Sequence, residues 1–94
     1  MAALYEAEVR SSLRELSGWK YQDKAIQHLY EFADFAQAMK FVNRVAEAAE
    51  QANHHPDIDI RYNKVTMSLT SHDSGGVTNR DLKMARRIAE IAGS

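Results

Sequence analysis

Three of the four histidines in this chain are His54, His55 and His72. The first two run directly into Pro56, and the third opens the loop Asp73-Ser74-Gly75-Gly76. Imidazole is the one side chain whose unperturbed pKa lies near neutrality, so a pocket lined by several imidazoles donates and accepts protons at the same pH. The pattern therefore points to general acid–base chemistry. Two alternatives compete with it: a solvated loop carrying unrelated histidines, and a zinc site, since catalytic zinc commonly uses three protein ligands. The chain has no cysteine and no His-x-x-x-His helical pair, so the metal reading has no specific signature. His28 falls on the apolar side of a strand-like segment, where a core or interface role is expected.

The elements that must position these groups follow from periodicity. Tyr5, Val9, Leu13 and Leu16 recur at helical spacing, and Gly18 is placed to end that helix. Trp19–Tyr21 and Ala25–Phe32 read as a hairpin about Gln22-Asp23-Lys24, with Ile26, His28, Tyr30 and Phe32 on one side and Gln27 and Glu31 on the other. Asp34 caps a long helix with the stripe Phe35, Ala38, Met39, Val42, Val45, Ala46 and Ala49, and Pro56 prevents its continuation. Residues 57–62 alternate strictly, as do Val65, Met67 and Leu69 with Thr66, Ser68 and Thr70, which predicts a second hairpin about Asn63-Lys64. That hairpin brings the chain near 54 and the chain near 72 to one end of a sheet. Thr78-Asn79-Arg80-Asp81 is a variant capping box that starts a last helix. Its apolar residues Leu82, Met84, Ala85, Ile88, Ala89, Ile91 and Ala92 exceed a narrow stripe and suggest a surface shared with another subunit.

The order is α-β-β-α-β-β-α, an α+β fold with a four-stranded antiparallel sheet and three helices packed on one face. At 94 residues with 45% hydrophobic and 27% charged residues, one soluble domain spanning 1–94 is expected. A net charge of −1 without a basic run argues against direct nucleic-acid binding. The N-terminal residues Glu6, Glu8 and Arg10 interrupt any signal-type apolar run, and no membrane span is visible, so a cytoplasmic location is expected.

An ordered set of residues resembles the pterin-4a-carbinolamine dehydratases, known in animals as dimerisation cofactors of a homeodomain transcription factor. It comprises Gly18-Trp19, Asp23-Lys24-Ala25-Ile26, Phe32 with Asp34-Phe35, Glu50-x-x-x-His54-His55-Pro56, Tyr62-Asn63-Lys64-Val65, Leu69-x-x-His72 and Gly75-Gly76-Val77-Thr78-x-x-Asp81. The resemblance spans nearly the whole chain. It implies a metal-free, cofactor-free dehydration of 4a-hydroxytetrahydropterin to quinonoid dihydropterin, in a homo-oligomer that is a dimer or a tetramer. By the same resemblance His54, His55 and His72 are catalytic, and Asn53, His54, His55, Thr70, Ser71, His72 and Asp73 contact substrate. His54 and His72 take the acid and base roles, His55 orients the pterin, Thr70 and Ser71 face its polar edge, and Asp73 stabilises developing positive charge. Glu50, one helical turn before His54, is a candidate to position that histidine, and Asp81 is a cap with a possible supporting role. Two positions depart from the family pattern: Ile58 stands where tryptophan is common, and Asn53 where an acidic residue is frequent. A noncatalytic dimerisation or assembly factor on the same scaffold is the competing function.

Overall fold

The computed structural model describes residues 2–93. Its elements are α1 (Glu6–Leu13), β1 (Lys20–Gln22), β2 (Ala25–Glu31), α2 (Phe35–Ala52), β3 (Asp57–Arg61), β4 (Lys64–Leu69), a single 3-10 turn over His72–Ser74, and α3 (Asn79–Ile91). The strands form one sheet in the order β1-β2-β4-β3, antiparallel throughout. This is the expected architecture, and the long-range pair β2 and β4 lies at its centre.

Both hairpins close through residues with positive φ, at +53° and +63° for Asp23 and Lys24 and at +55° for Tyr62. The pairing of Gln22 with Ala25 leaves Asp23-Lys24 as a two-residue loop whose two left-handed residues match the twist of the strands. In the second hairpin Arg61 pairs with Lys64, so the loop is Tyr62-Asn63 and not Asn63-Lys64. Asn63 explains the shift: its side-chain amide donates to the Phe32 carbonyl at 2.8 Å, and its own carbonyl accepts from Phe32 N–H at 2.9 Å. The turn is thereby tied to the end of β2.

Alternation along the strands places Ile26, Tyr30, Val65, Met67 and Leu69 in one core with Val9, Val45 and Ile88 from the three helices. Helix α1 stops at Leu13, earlier than expected, because the chain tightens into turns in which Leu16 N–H bonds Leu13 O and Trp19 N–H bonds Leu16 O. Leu16 is buried all the same. Asp34 caps α2 by accepting from Gln37 N–H at 2.8 Å. The buried stripe of α2 is rotated from the expected one: Phe41 and Ala48 are inside, whereas Phe35 and Ala46 are exposed. Aromatic contacts account for the rotation, since the Phe41 ring packs against both Tyr30 and Phe32 with centroids 4.9 Å apart in each case.

The broad apolar surface of α3 is consumed within the chain. Leu82, Met84, Ala85, Ile88 and Ile91 are buried and Ala89 and Ala92 half-buried, so most of its apolar width is already covered by the chain itself. The exposed large apolar residues lie elsewhere, at Tyr5, Leu29, Phe35, Ile60 and Tyr62.

Gly18 has a positional requirement that can be tested. Its φ is +87°, and a Cβ placed on it would lie 2.3 Å from Nε2 of His28. The imidazole cannot easily retreat, because it stacks on Tyr30 with ring centroids 3.8 Å apart and meets Trp19 edge-on. Gly18→Ala is expected to cost about 2 kcal/mol or more, combining a left-handed backbone penalty with overpacking. Urea denaturation checks this, and adding His28→Ala should recover the overpacking part; no recovery would show that the clash is unimportant.

Candidate functional site

Helix α2 ends at Asn53, which adopts the left-handed conformation with φ 51° and ψ 42°. Asparagine tolerates that conformation better than most side chains, which gives a structural reason for the residue found here. The turn is locked by His54 N–H donating to Ala49 O at 3.1 Å, and Pro56 then fixes the exit into β3. His54 and His55 are therefore presented by a closed helix end.

The two imidazoles have different partners. His54 is only 11% exposed at its side chain, and its Nε2 lies 2.5 Å from Oδ1 of Asp81, which is fully buried. His55 is half-exposed, and its Nε2 lies 2.5 Å from Oε2 of Glu50 on the preceding helical turn. Glu50 thus braces His55 and not His54, because the left-handed turn at Asn53 swings His54 toward α3. A carboxylate only accepts, so each contact requires the proton on Nε2. Nδ1 is left in both rings as the nitrogen available to a ligand.

Asp81 is the hub. Its Oδ2 accepts from Thr78 N–H at 2.8 Å, completing the capping box at the start of α3, and from the Ser71 hydroxyl at 2.8 Å. Ser71 and Thr78 hydroxyls also bond each other at 2.9 Å. Burying an ionised carboxylate is costly unless it is paired and hydrogen-bonded, and here three groups satisfy it. One carboxylate therefore ties the His54 turn to the strand end that leads into His72.

Beyond Ser71 the chain makes a closed loop. Ser71 N–H donates to Gly76 O at 2.9 Å and Gly76 N–H returns to Ser71 O at 3.3 Å, with Gly75 in the left-handed region at φ +75°. The N-terminal segment adds a further clamp, Leu4 N–H to Val77 O at 2.8 Å. His72 sits exposed on this loop. Its neighbour Asp73 accepts from Arg80 Nη2 at 2.8 Å, and that guanidinium holds the Asp73 carboxyl below its ordinary range. Asp73 is already neutralised locally by Arg80. The Thr70 hydroxyl donates to Lys24 O at 2.8 Å and the Ser71 hydroxyl is committed to Asp81. Both residues thus brace neighbouring segments through their side chains.

Sequence reasoning did not anticipate the Asp81 to His54 and Ser71 contacts or the Asp73–Arg80 pair. The capping box gave the only signal, and it identifies a helix start without revealing that Ser71 joins the cap on Oδ2 or that His54 meets Oδ1. Among the described residues no group of three or more His, Cys, Asp or Glu is placed to hold a metal ion. No described helix is long and apolar enough to cross a membrane.

The family model described as pterin 4 alpha carbinolamine dehydratase matches residues 2–91. The chain belongs to the pterin-4-alpha-carbinolamine dehydratase family. A relative from Koribacter versatilis, named "Putative pterin-4-alpha-carbinolamine dehydratase", is 59% identical over 88 residues, covering 94% of each chain. One of the same name from Thermomicrobium roseum is 53% identical over 92 residues, covering 98% of this chain and 99% of that one. A crystal structure from Brucella melitensis, titled a transcriptional coactivator/pterin dehydratase, superposes with a TM-score of 0.92 at 41% identity, covering 97% of this chain and 99% of that one. A pterin dehydratase-like RuBisCO assembly factor of the alpha-carboxysome shares the dehydratase fold, with a TM-score of 0.72 at 24% identity over 82% of this chain and 92% of that one.

The fourth histidine lies apart from these groups. Burial holds the His28 imidazole below its ordinary value, opposed by hydrogen bonding with the backbone of Leu29 and Ser17. The folded chain therefore binds fewer protons than the unfolded chain once pH falls below about 6.5. Its contribution to stability is full above that pH and declines below it. Thermal melts from pH about 7.5 to about 5.5 should show a fall in wild type that is smaller in His28→Phe; equal slopes would contradict the assignment.

Proposed function

We propose that the protein dehydrates 4a-hydroxytetrahydropterin to quinonoid dihydropterin by histidine acid–base catalysis, in the recycling of tetrahydrobiopterin or a related reduced pterin. The observation that carries this reading is the bridge made by Asp81, whose two oxygens reach His54 and the Ser71 hydroxyl beside His72. A buried carboxylate that fixes the tautomer of one histidine and anchors the loop of another is the arrangement a two-proton elimination needs.

In the reaction the C4a hydroxyl leaves as water after taking a proton, and a ring nitrogen gives up its proton as the new double bond forms. His54 and His72 serve as the acid and base. With Nε2 of His54 committed to Asp81, its Nδ1 is the atom that exchanges a proton with the pterin. His55, steadied by Glu50, orients the ring, and Asn53 and the backbone of Thr70 and Ser71 meet its polar edge. Asp73, through its pair with Arg80, holds the His72 loop. The protein acts in the cytoplasm as a homo-oligomer, either a dimer or a tetramer. A noncatalytic binding or assembly role draws support from the coactivator half of the Brucella protein's name and from the fold shared with the assembly factor, and is the weaker reading.

The test follows the absorbance of freshly generated 4a-hydroxytetrahydropterin with and without protein, before and after exhaustive chelation. Acceleration that survives chelation is expected, since positioned proton donors and acceptors suffice for this step. Decay at the uncatalysed rate would contradict the proposal, and activity that disappears with metal and returns with zinc would contradict its metal-free mechanism.

A further inference from the structure

A groove of about 510 Å³ runs between the second half of α2 and the length of α3. Its apolar floor includes Ala48, Ala52 and Met84. Its rim carries Arg80, Lys83, Arg86 and Arg87, four of the twelve Lys and Arg residues, against the single carboxylate of Glu90. Such a concentration is unexpected in a chain whose net charge is −1.

The cations are only partly spoken for. Arg80 is held by Asp73 at 2.8 Å, and Arg87 lies 3.6 Å from Glu90. Among the described residues Lys83 and Arg86 have no carboxylate within ion-pair distance. One end of the groove abuts the candidate site on both sides. Gln51 and Ala52 line it three and two residues before His54, and Arg80 lines it while holding the His72 loop through Asp73. Along α3, Lys83 and Arg87 follow Arg80 at about 5 and 10 Å.

We propose that this groove receives an anionic substituent on the pterin, a phosphate or a carboxylate carried by the side chain of the ring. This rests on the dehydratase reading and names the substrate class for the same site. The heterocycle occupies the histidines, the apolar stem crosses Ala48, Ala52 and Met84, and the terminal anion meets Lys83 and Arg87, with Arg86 adding to the potential. Guanidinium and ammonium groups on a partly apolar floor suit a small oxyanion, and charge-assisted contacts of this kind are about twice as strong as neutral ones.

The experiment measures dissociation constants by equilibrium dialysis for three stable pterins that differ only in the side chain: neutral dihydroxypropyl, its phosphate ester, and a carboxylate-bearing analogue. The phosphate ester should bind roughly tenfold tighter than the neutral ligand at low salt, with the advantage shrinking as salt screens the rim. A carboxylate analogue that also binds tighter than the neutral ligand would support the groove assignment and show that it reads negative charge rather than phosphate geometry. In the Lys83→Gln, Arg87→Gln double variant the anionic preference should be lost. Equal constants for all three ligands, or a preference that survives the double substitution, would overturn the groove assignment while leaving the dehydratase reading intact. Absence of binding by any pterin would defeat both.

Discussion

Asp81→Ala is expected to destabilise the fold by about 3–5 kcal/mol, the range for breaking a buried charged network by removing one partner. The substitution strands the Thr78 N–H and Nε2 of His54 and leaves the Ser71 hydroxyl with Thr78 alone. Each buried donor left without an acceptor costs about 1–3 kcal/mol. The same change frees the His54 imidazole, so turnover should fall in whatever fraction remains folded. Asp81→Asn keeps the shape and one acceptor oxygen but turns an amide donor toward a site that already holds only donors. It should therefore retain more stability than alanine and still lose turnover. Denaturant midpoints and single-turnover rates on both variants check this. A carboxylate that only caps α3 would lose about 1 kcal/mol on removal, and wild-type turnover in Asp81→Asn would show that His54 does not depend on it.

Removing either exchanging histidine should have the largest effect on rate. His54→Ala and His72→Ala are each expected to lower turnover by about 10²–10⁴-fold, the usual contribution of a positioned acid or base. Their effects on stability should differ. His54 is nearly buried against Asp81, so its loss leaves a carboxylate oxygen unpaired. His72 is exposed on its loop and its removal should leave the melting temperature almost unchanged. His55→Ala should raise the pterin dissociation constant as well, because its imidazole is half-exposed and braced only by the exposed Glu50.

Periodicity was enough to give the element order, both hairpins and the starts of α2 and α3, since alternation and capping residues act locally and leave their mark at fixed spacings. It misplaced what depends on contacts distant in sequence. The turn at Tyr62-Asn63 shifted by one residue because Asn63 bonds Phe32, and the buried face of α2 rotated because Phe41 packs on Tyr30 and Phe32. The wide apolar surface of α3 suggested a subunit contact, yet Leu82, Met84, Ala85, Ile88 and Ile91 join the chain's own core, where the helix packs against α2. For the site, the histidine pair and the loop at His72 were visible as residue types. The partner of His54 was not, because Asp81 stands 27 positions away and only the fold aligns its free oxygen with the helix end. Glu50 was expected beside His54 and instead contacts His55, a difference set by the left-handed residue Asn53.

The most direct test of the central claim is the rate at which freshly generated 4a-hydroxytetrahydropterin loses water, followed by stopped-flow absorbance in wild type and in the His54→Ala, His72→Ala double variant. Circular dichroism and melting temperature establish how much of each sample is folded. Wild type is expected to accelerate the reaction, and the folded double variant to return it to within a small factor of the uncatalysed rate. A folded double variant that dehydrates the pterin as fast as wild type would contradict histidine acid–base catalysis at this site.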